Sequence, residues 1–409
     1  MIPVEEARER ILARVGALGA ERVELGDACG RALAEDVAVP TDIPPWSNSS
    51  MDGYAVRAAD TDGASASGPR RLRLSGRVAA GAIAERPMRP GEAYRIFTGA
   101  PLPEGADSVI PQEDVSEDGG ALVVSRAIRH GDFVRPRGED LRQGETVLRA
   151  GRALGAAEIG LLATLRRTQV SVGRRPRVAV LSTGDEIADL GEPLGRGQIP
   201  NSNTYSLVAQ VREAGGVAVS LGVARDRLEE IETRLSWGLE CDVLLSSAGV
   251  SVGEHDFVKA ALERLGAEQH LWLVDMRPGK PIAFATIPVG SKRVLPVWAL
   301  PGNPVSAMVT FELFVRPALL RMAGHARIDR PIVTARARAP IPNPGRRRGY
   351  LRVVLSAEPD GYGAHLTGDQ GSGILRSMVE ADGLAIVPGD TTIEVGDRAP
   401  VMMLRPPTG

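Results

Sequence analysis

Cys241-Asp242-Val243-Leu244-Leu245-Ser246-Ser247-Ala248-Gly249-Val250-Ser251-Val252-Gly253-Glu254-His255-Asp256 is an apolar run that breaks into serines, glycines and acids. A short apolar segment without alternation suits a strand buried on both faces of a parallel sheet. The loop after it offers hydroxyls and backbone amides that cradle a phosphate. Asp256 is placed to bring a hard cation to that phosphate. Packing alone does not require Ser, Gly and Ser together. Outward from this stretch the order of strand and helix repeats. Residues 177–181, 217–223, 242–245 and 294–300 read as strands, and 202–214, 228–237, 258–265 and 305–321 as helices. The alternation predicts a mostly parallel α/β sheet covered on both faces, with ligands beyond the carboxyl ends of its strands.

The flanks read differently. A helix is expected over 4–19, with Ile11, Leu12, Val15 and Leu18 on one stripe, and another over 156–165. Between them, short alternating runs separated by Gly and Pro predict a β-rich segment. After Arg330 short strands at 333–337, 351–355, 364–367 and 384–387 predict a small C-terminal β-barrel. The expected division is a helical, linking domain from 1–45 and 140–175, a β-rich domain over 46–139, the α/β domain over 176–326 and the barrel over 327–409.

Bulk properties narrow the function. A formal net charge of −2 favours neither nucleic acid nor an anionic membrane. No apolar run reaches membrane-spanning length, and the acidic N-terminus does not resemble a signal peptide. A cytoplasmic protein is expected. Two cysteines, Cys29 and Cys241, build neither a disulfide framework nor a thiolate metal site, and both are expected to be buried. The five histidines show no ligand spacing, so a divalent ion would be held by carboxylates and phosphate, as magnesium is.

Further motifs carry polar chemistry. Ser50-Met51-Asp52-Gly53-Tyr54 and Phe97-Thr98-Gly99-Ala100 set an acid and a hydroxyl beside glycines, and Arg137-Gly138-Glu139-Asp140 mixes both charges. Each of these alone reads equally as a capped or solvated turn. Ser182-Thr183-Gly184-Asp185-Glu186 ends a strand, and Glu186 suits a metal or a base. Arg277-Pro278-Gly279-Lys280 fixes two cations on a rigid turn near the phosphate loop, which fits an oxyanion. Lys280 is one of only three lysines, although arginine is abundant; codon bias explains that. Pro301-Gly302-Asn303-Pro304-Val305-Ser306 puts amides and a serine at a helix start. Gln370-Gly371-Ser372-Gly373 lies in the last domain. Together the motifs suggest metal-assisted phosphoanhydride chemistry.

In order and wording these motifs resemble the molybdopterin molybdenumtransferases, whose motifs are shared by the C-terminal half of gephyrin and by plant molybdenum-insertion enzymes. The resemblance runs end to end. It implies a four-domain homodimer that inserts molybdate into adenylylated molybdopterin with magnesium and releases AMP, with molybdopterin adenylyltransferase as pathway partner. It implies a cleft shared between subunits. The family's functional acids and hydroxyl fall on Asp52, Thr98, Asp140, Glu186, Asp242 and Asp256, with Asp242, Asp256 and Glu186 as the metal set. Substrate contacts fall on Ser246, Ser247, Gly249, Ser251, Pro301, Gly302 and Asn303. Molybdate contacts fall on Arg277, Lys280, Ser306 and Ser372, with one arginine of 346–348. Two departures stand out. Ala248 replaces a usual glycine, which removes freedom for positive φ, and Arg277 replaces a usual lysine. Two other readings compete: the adenylyltransferase of the same pathway, and a non-enzymatic scaffold.

Overall fold

Apolar runs and glycine turns assemble one six-stranded sheet in the computed structural model, which describes residues 1–248, 257–291 and 293–407. Its strands are β1 (Arg177–Thr183), β2 (Val217–Ala224), β3 (Val243–Ser247), β4 (Glu268–Leu273), β5 (Pro281–Val289) and β6 (Arg293–Leu300). The order is β2-β1-β3-β6-β5-β4. The first four are mutually parallel, and β5 runs antiparallel to both β6 and β4. The β4–β5 edge pair was not anticipated from sequence.

Alternate residues of each strand serve opposite cores, as the two-residue period requires. Val178, Val180, Val243, Leu245 and Trp298 face the helix Ser202–Glu213, the N-terminal helix and the helical segment 304–322. Ala179, Leu181, Leu244 and Val297 face the helices Leu228–Trp237 and Phe257–Arg264 through Ile231, Leu235, Val258 and Ala261.

Three expectations need correction. The N-terminal helix covers only Val4–Leu12 rather than 4–19. Gly16 and Gly19 disfavour its continuation, and Gly19 takes φ +95°. The segment 304–322 is interrupted by a π-helical turn at Phe311–Val315. Pro317 supplies no N–H to the Leu313 carbonyl four residues earlier, and Arg8 Nη1 donates to that carbonyl at 2.8 Å instead. Cys241 is buried as expected, but Cys29 is exposed: it lies in a short turn between Ala28 and Gly30, where only Ala28 packs inward.

The chain forms two compact units, Met1–Glu35 with Ala150–Gly409, and Asp36–Arg149. The inserted unit is wider at both ends than the 46–139 read from sequence, because Val37–Ala38 pairs with Thr146–Leu148 at its neck. It holds a six-stranded sheet ordered Ser108–Pro111, Gly53–Val56, Glu92–Ile96, Arg70–Val78, Ala121–Val124, Val115–Asp118. In the larger unit, Ile332–Ala337, Arg348–Glu358, Gly361–Leu366, Gly383–Val387 and Arg398–Met403 close into a five-stranded barrel. Met276–Arg277 adds to it in parallel beside Arg348–Gly349. That pairing ties the Arg-Pro-Gly-Lys loop to the barrel.

Candidate active site

A cleft of about 660 Å³ opens above the carboxyl ends of β1, β3 and β6. Its walls include Thr183, Glu186, Asn203, Ser247, Ala248 and Asn303, closed on one side by Gly373 and Leu375 from the barrel domain. Ser246 and Ser247 end β3, both buried. Asn203 in the first turn of the helix Ser202–Glu213 joins two of the loops. Its Nδ2 donates to Ser247 Oγ and to the Gly302 carbonyl, each at 2.7 Å. Its Oδ1 is buried without a hydrogen-bond partner among the described residues. A buried acceptor left unpaired is costly, and Asn203 is one of the residues that line the cleft. Sequence reading passed over Asn203, since a lone Asn near a helix start looks like a cap; the cap itself is Asn201.

Ala248 keeps the backbone shape a glycine would give. Its φ is +78°, and its amide donates to the Leu300 carbonyl at 3.0 Å. The β-carbon therefore strains the loop rather than reshaping it. Ala248→Gly is expected to stabilise the chain by about 1 kcal/mol. Urea denaturation measures this, and an unchanged midpoint contradicts it.

A cationic corner adjoins this loop system. Gly279 has φ +99°, and a β-carbon there would lie 2.4 Å from Thr310 Cγ2. The Arg-Pro-Gly-Lys turn thus rests directly on the helix that begins at Pro304. The Val305 amide donates to the Ser372 carbonyl at 3.1 Å, which docks the Gly-Ser-Gly loop on the same helix start. Ser306 is buried there, Pro301 is buried just before it, and Lys280 is exposed.

Arg352 stands at this corner, as does the segment 346–348, whose neighbour Gly345 lies against Arg277. Arg347 Nη1 donates to the Met276 carbonyl at 3.1 Å, Arg348 pairs with Glu5, and Arg346 is exposed. Arg352 is fully buried. Its Nε donates to Ser377 Oγ and its Nη2 to the Gly371 carbonyl, both at 3.0 Å, while Nη1 has no partner among the described residues. Burial, reinforced by the charge of Arg277, pulls its pKa down to about 10. A buried guanidinium with an unused N–H beside a second cation is arranged for an anion. Its signal in the sequence was a charged residue between Leu351 and Val353.

The acids separate into groups. Asp242 stands at the amino end of β3, about 16 Å from Ser247 by strand rise. Its carboxylate takes Arg174 Nη2 and the Arg177 amide, each at 2.9 Å. It anchors the start of the strand and does not join the cleft. Glu186 lines the cleft. Asp226, unnoticed in the sequence, follows β2 at its carboxyl end, and its amide donates to Asp185 Oδ1 at 3.3 Å. Partial burial, with the nearby charges of Asp185 and Glu186, raises its pKa above the ordinary carboxylate range. Among the described residues no three His, Cys, Asp or Glu side chains form a ready metal cage. Gly249, Ser251 and Asp256 lie outside the described residues.

Within the Asp36–Arg149 unit, Asp52 Oδ1 accepts from both the amide and the hydroxyl of Thr98 at 2.8 Å. The Thr98 amide foremost, then its hydroxyl, holds the Asp52 carboxyl below the usual range. Asp140 is exposed in the turn after Gly138, its amide bonded to the Ile43 carbonyl at 3.0 Å.

Comparison with known proteins agrees along the chain. Family models match as the MoeA N-terminal region (domain I and II) over residues 2–165, a probable molybdopterin binding domain over 179–321 and the MoeA C-terminal region (domain IV) over 334–404. The molybdopterin molybdenumtransferase of Nostoc sp. is 38% identical over 389 residues, covering 94% of this chain and 88% of the relative. That of Bacillus subtilis is 34% identical over 418 residues, covering 100% and 95%. The solved molybdopterin biosynthesis MoeA protein of Pyrococcus horikoshii superposes with a TM-score of 0.84 at 34% identity, covering 99% of this chain and 100% of that one.

Proposed function

Because the chain belongs to the molybdopterin molybdenumtransferase family, we propose that it inserts molybdate into adenylylated molybdopterin, releasing AMP. The observation that carries this reading is the juxtaposition of a cleft at the strand ends, lined by Thr183, Asn203 and Ser247 among others, with a cationic corner that holds a buried N–H unpaired among the described residues. The pterin occupies the cleft, where Asn203 Oδ1 accepts one of its N–H groups and the serines ending β3 meet its phosphate. Arg277, Lys280 and Arg352 hold the molybdate dianion. Their charge is needed because one anion must approach another. Asn203→Ala is expected to raise KM for adenylylated molybdopterin about tenfold, the effect of losing one buried hydrogen bond and its loop clamp. Molybdate affinity, measured by calorimetry, stays at the wild-type value; an unchanged KM overturns the pterin placement.

Magnesium fits the acids near the cleft, since it takes one or two carboxylates and completes its shell with water and substrate phosphate. Glu186 and Asp226 would hold it. When bound, the ion neutralises charge on the phosphoanhydride. Asp226 binds its proton more tightly folded than unfolded, so its contribution to stability is present at low pH and lost as pH rises through the raised value. At neutral pH the ionised carboxylate is therefore a burden. Asp226→Asn is expected to raise the melting temperature at pH 7, with the gain vanishing near pH 4, and to weaken the stabilisation by added magnesium. A lower melting temperature at pH 7 contradicts the crowding of acids.

The reading extends to a cytoplasmic homodimer in which Asp52, Thr98 and Asp140 of one copy serve the cleft of another. Molybdopterin adenylyltransferase supplies the substrate. The resemblance supports these points. Among the described residues no helix is long and apolar enough to cross a membrane.

A further inference from the structure

The inserted unit carries a pair of cations without an ion-pair partner among the described residues, although, after the Thr98 bonds, the charge of Arg95 helps to hold the Asp52 carboxyl low. Arg77 and Arg95 are directly opposite one another on adjacent parallel strands. Like charges in that register destabilise a sheet. In the same unit Arg71 pairs with Asp118, and Arg73 and Arg86 both pair with Glu92, while Arg70 donates to the Asp62 carbonyl. Arg95 donates to Gln112 Oε1, and among the described residues neither it nor Arg77 has a carboxylate within ion-pair distance.

Aromatic rings pack against both guanidinium groups. The Arg77 guanidinium lies 4.7 Å from the centre of Phe97, and that of Arg95 lies 5.4 Å from Phe97 and 4.8 Å from Tyr54. Stacking covers the flat faces of a guanidinium and leaves its N–H edge for hydrogen bonding. Arg95 gives one N–H to Gln112 Oε1 and also bonds the Tyr54 hydroxyl, and the N–H groups the two guanidiniums have left suit the oxygens of a phosphate. Phe97 adjoins Thr98, whose amide and hydroxyl hold Asp52. The charge pair therefore borders the polar group of this unit rather than a remote surface.

We propose that Arg77 and Arg95, stacked on Phe97 and Tyr54, form an anion platform that receives a phosphate group of the adenylylated substrate. The inference rests on the transferase reading for the identity of that substrate. The same chemistry serves the phosphate of AMP or a simple phosphate ion, and the probes separate them.

The test uses the full chain. Phenylglyoxal labelling of arginine, read by mass spectrometry, is run with AMP, inorganic phosphate or adenosine. AMP and phosphate are expected to protect Arg77 and Arg95 and to leave Arg71 unprotected, while adenosine protects neither. AMP acting at much lower concentration than phosphate assigns the nucleotide's phosphate; equal potency assigns a phosphate-only contact. Arg77→Met and Arg95→Met are each expected to raise KM for adenylylated molybdopterin at least about tenfold with kcat little changed, the pattern of a lost charge-assisted contact. Arg77→Lys, which keeps the charge without the fork, recovers part of that loss. Absence of protection by both phosphate probes, protection by adenosine, or an unchanged KM in both variants overturns the platform. The two readings fail separately. A wild-type protein that releases AMP, with both variants equal to it, leaves the transferase standing. A protein that releases none, with AMP still protecting both arginines, leaves the platform standing.

Discussion

Arg352→Met is expected to lower molybdate affinity by about a hundredfold, the value of a buried charge-assisted contact of roughly 3 kcal/mol. Nη1 of this arginine is the buried donor without a partner, and burial beside Arg277 has already lowered its pKa to about 10. An arginine kept in that condition without an anion gains little for the fold. Removing it loses the bonds to Ser377 and Gly371. It also relieves the burial of a cation, so the net change in stability is small. Calorimetric titration with molybdate alongside thermal denaturation separates the two effects. Arg352→Lys keeps the charge but not the fork and is expected to fall between. Wild-type affinity in the Met variant contradicts the assignment.

Gly279→Ala is expected to lower kcat/KM by about two orders of magnitude, since misplacing a binding loop by an ångström has effects of that size. Two causes act together. The position has φ +99°, and the new β-carbon would lie 2.4 Å from Thr310 Cγ2. Thr310 does not yield easily, because it is fully buried and its hydroxyl is bonded to the Ser306 and Ala307 carbonyls at 2.8 and 3.0 Å. The Arg-Pro-Gly-Lys turn must lift, carrying Arg277 and Lys280 out of place. Combining it with Thr310→Ser removes the clashing methyl group and leaves the backbone strain, so recovery is partial. Steady-state kinetics on both proteins decides it. A Gly279→Ala protein with wild-type kcat/KM refutes the role of this turn.

What was legible in the sequence follows from how strongly each property is written into a local pattern. The parallel strands were legible because burial on both faces leaves unbroken apolar runs, as at Val243–Ser247. Four barrel strands were legible from alternation and glycine turns, while Arg398–Met403, which closes the barrel against Ile332–Ala337 and Gly383–Val387, was not. The β4–β5 pair was not, since Pro281-Ile282-Ala283-Phe284 follows a Pro-Gly turn that drew attention to chemistry rather than to pairing. The end of the first helix was lost to a hydrophobic stripe that two glycines override.

The placement of Ser247 and Gly302 on the cleft was legible because apolar runs break there into small polar residues at the carboxyl ends of strands. Asp242 was misplaced although strand direction already excluded it: it opens β3, and ligands gather at the other end. Asp226 sits in Ala224-Arg225-Asp226-Arg227, which reads as a solvated charged turn until the sheet brings it to Asp185 and Glu186. Arg352 hides in a barrel strand, and only its burial marks it.

The most direct measurement is AMP release from adenylylated molybdopterin by the purified full chain with magnesium, with and without molybdate. The proposed function predicts release that depends on molybdate and yields a cofactor able to activate an apo-molybdoenzyme. Absence of release under both conditions, with the substrate still bound, would contradict it.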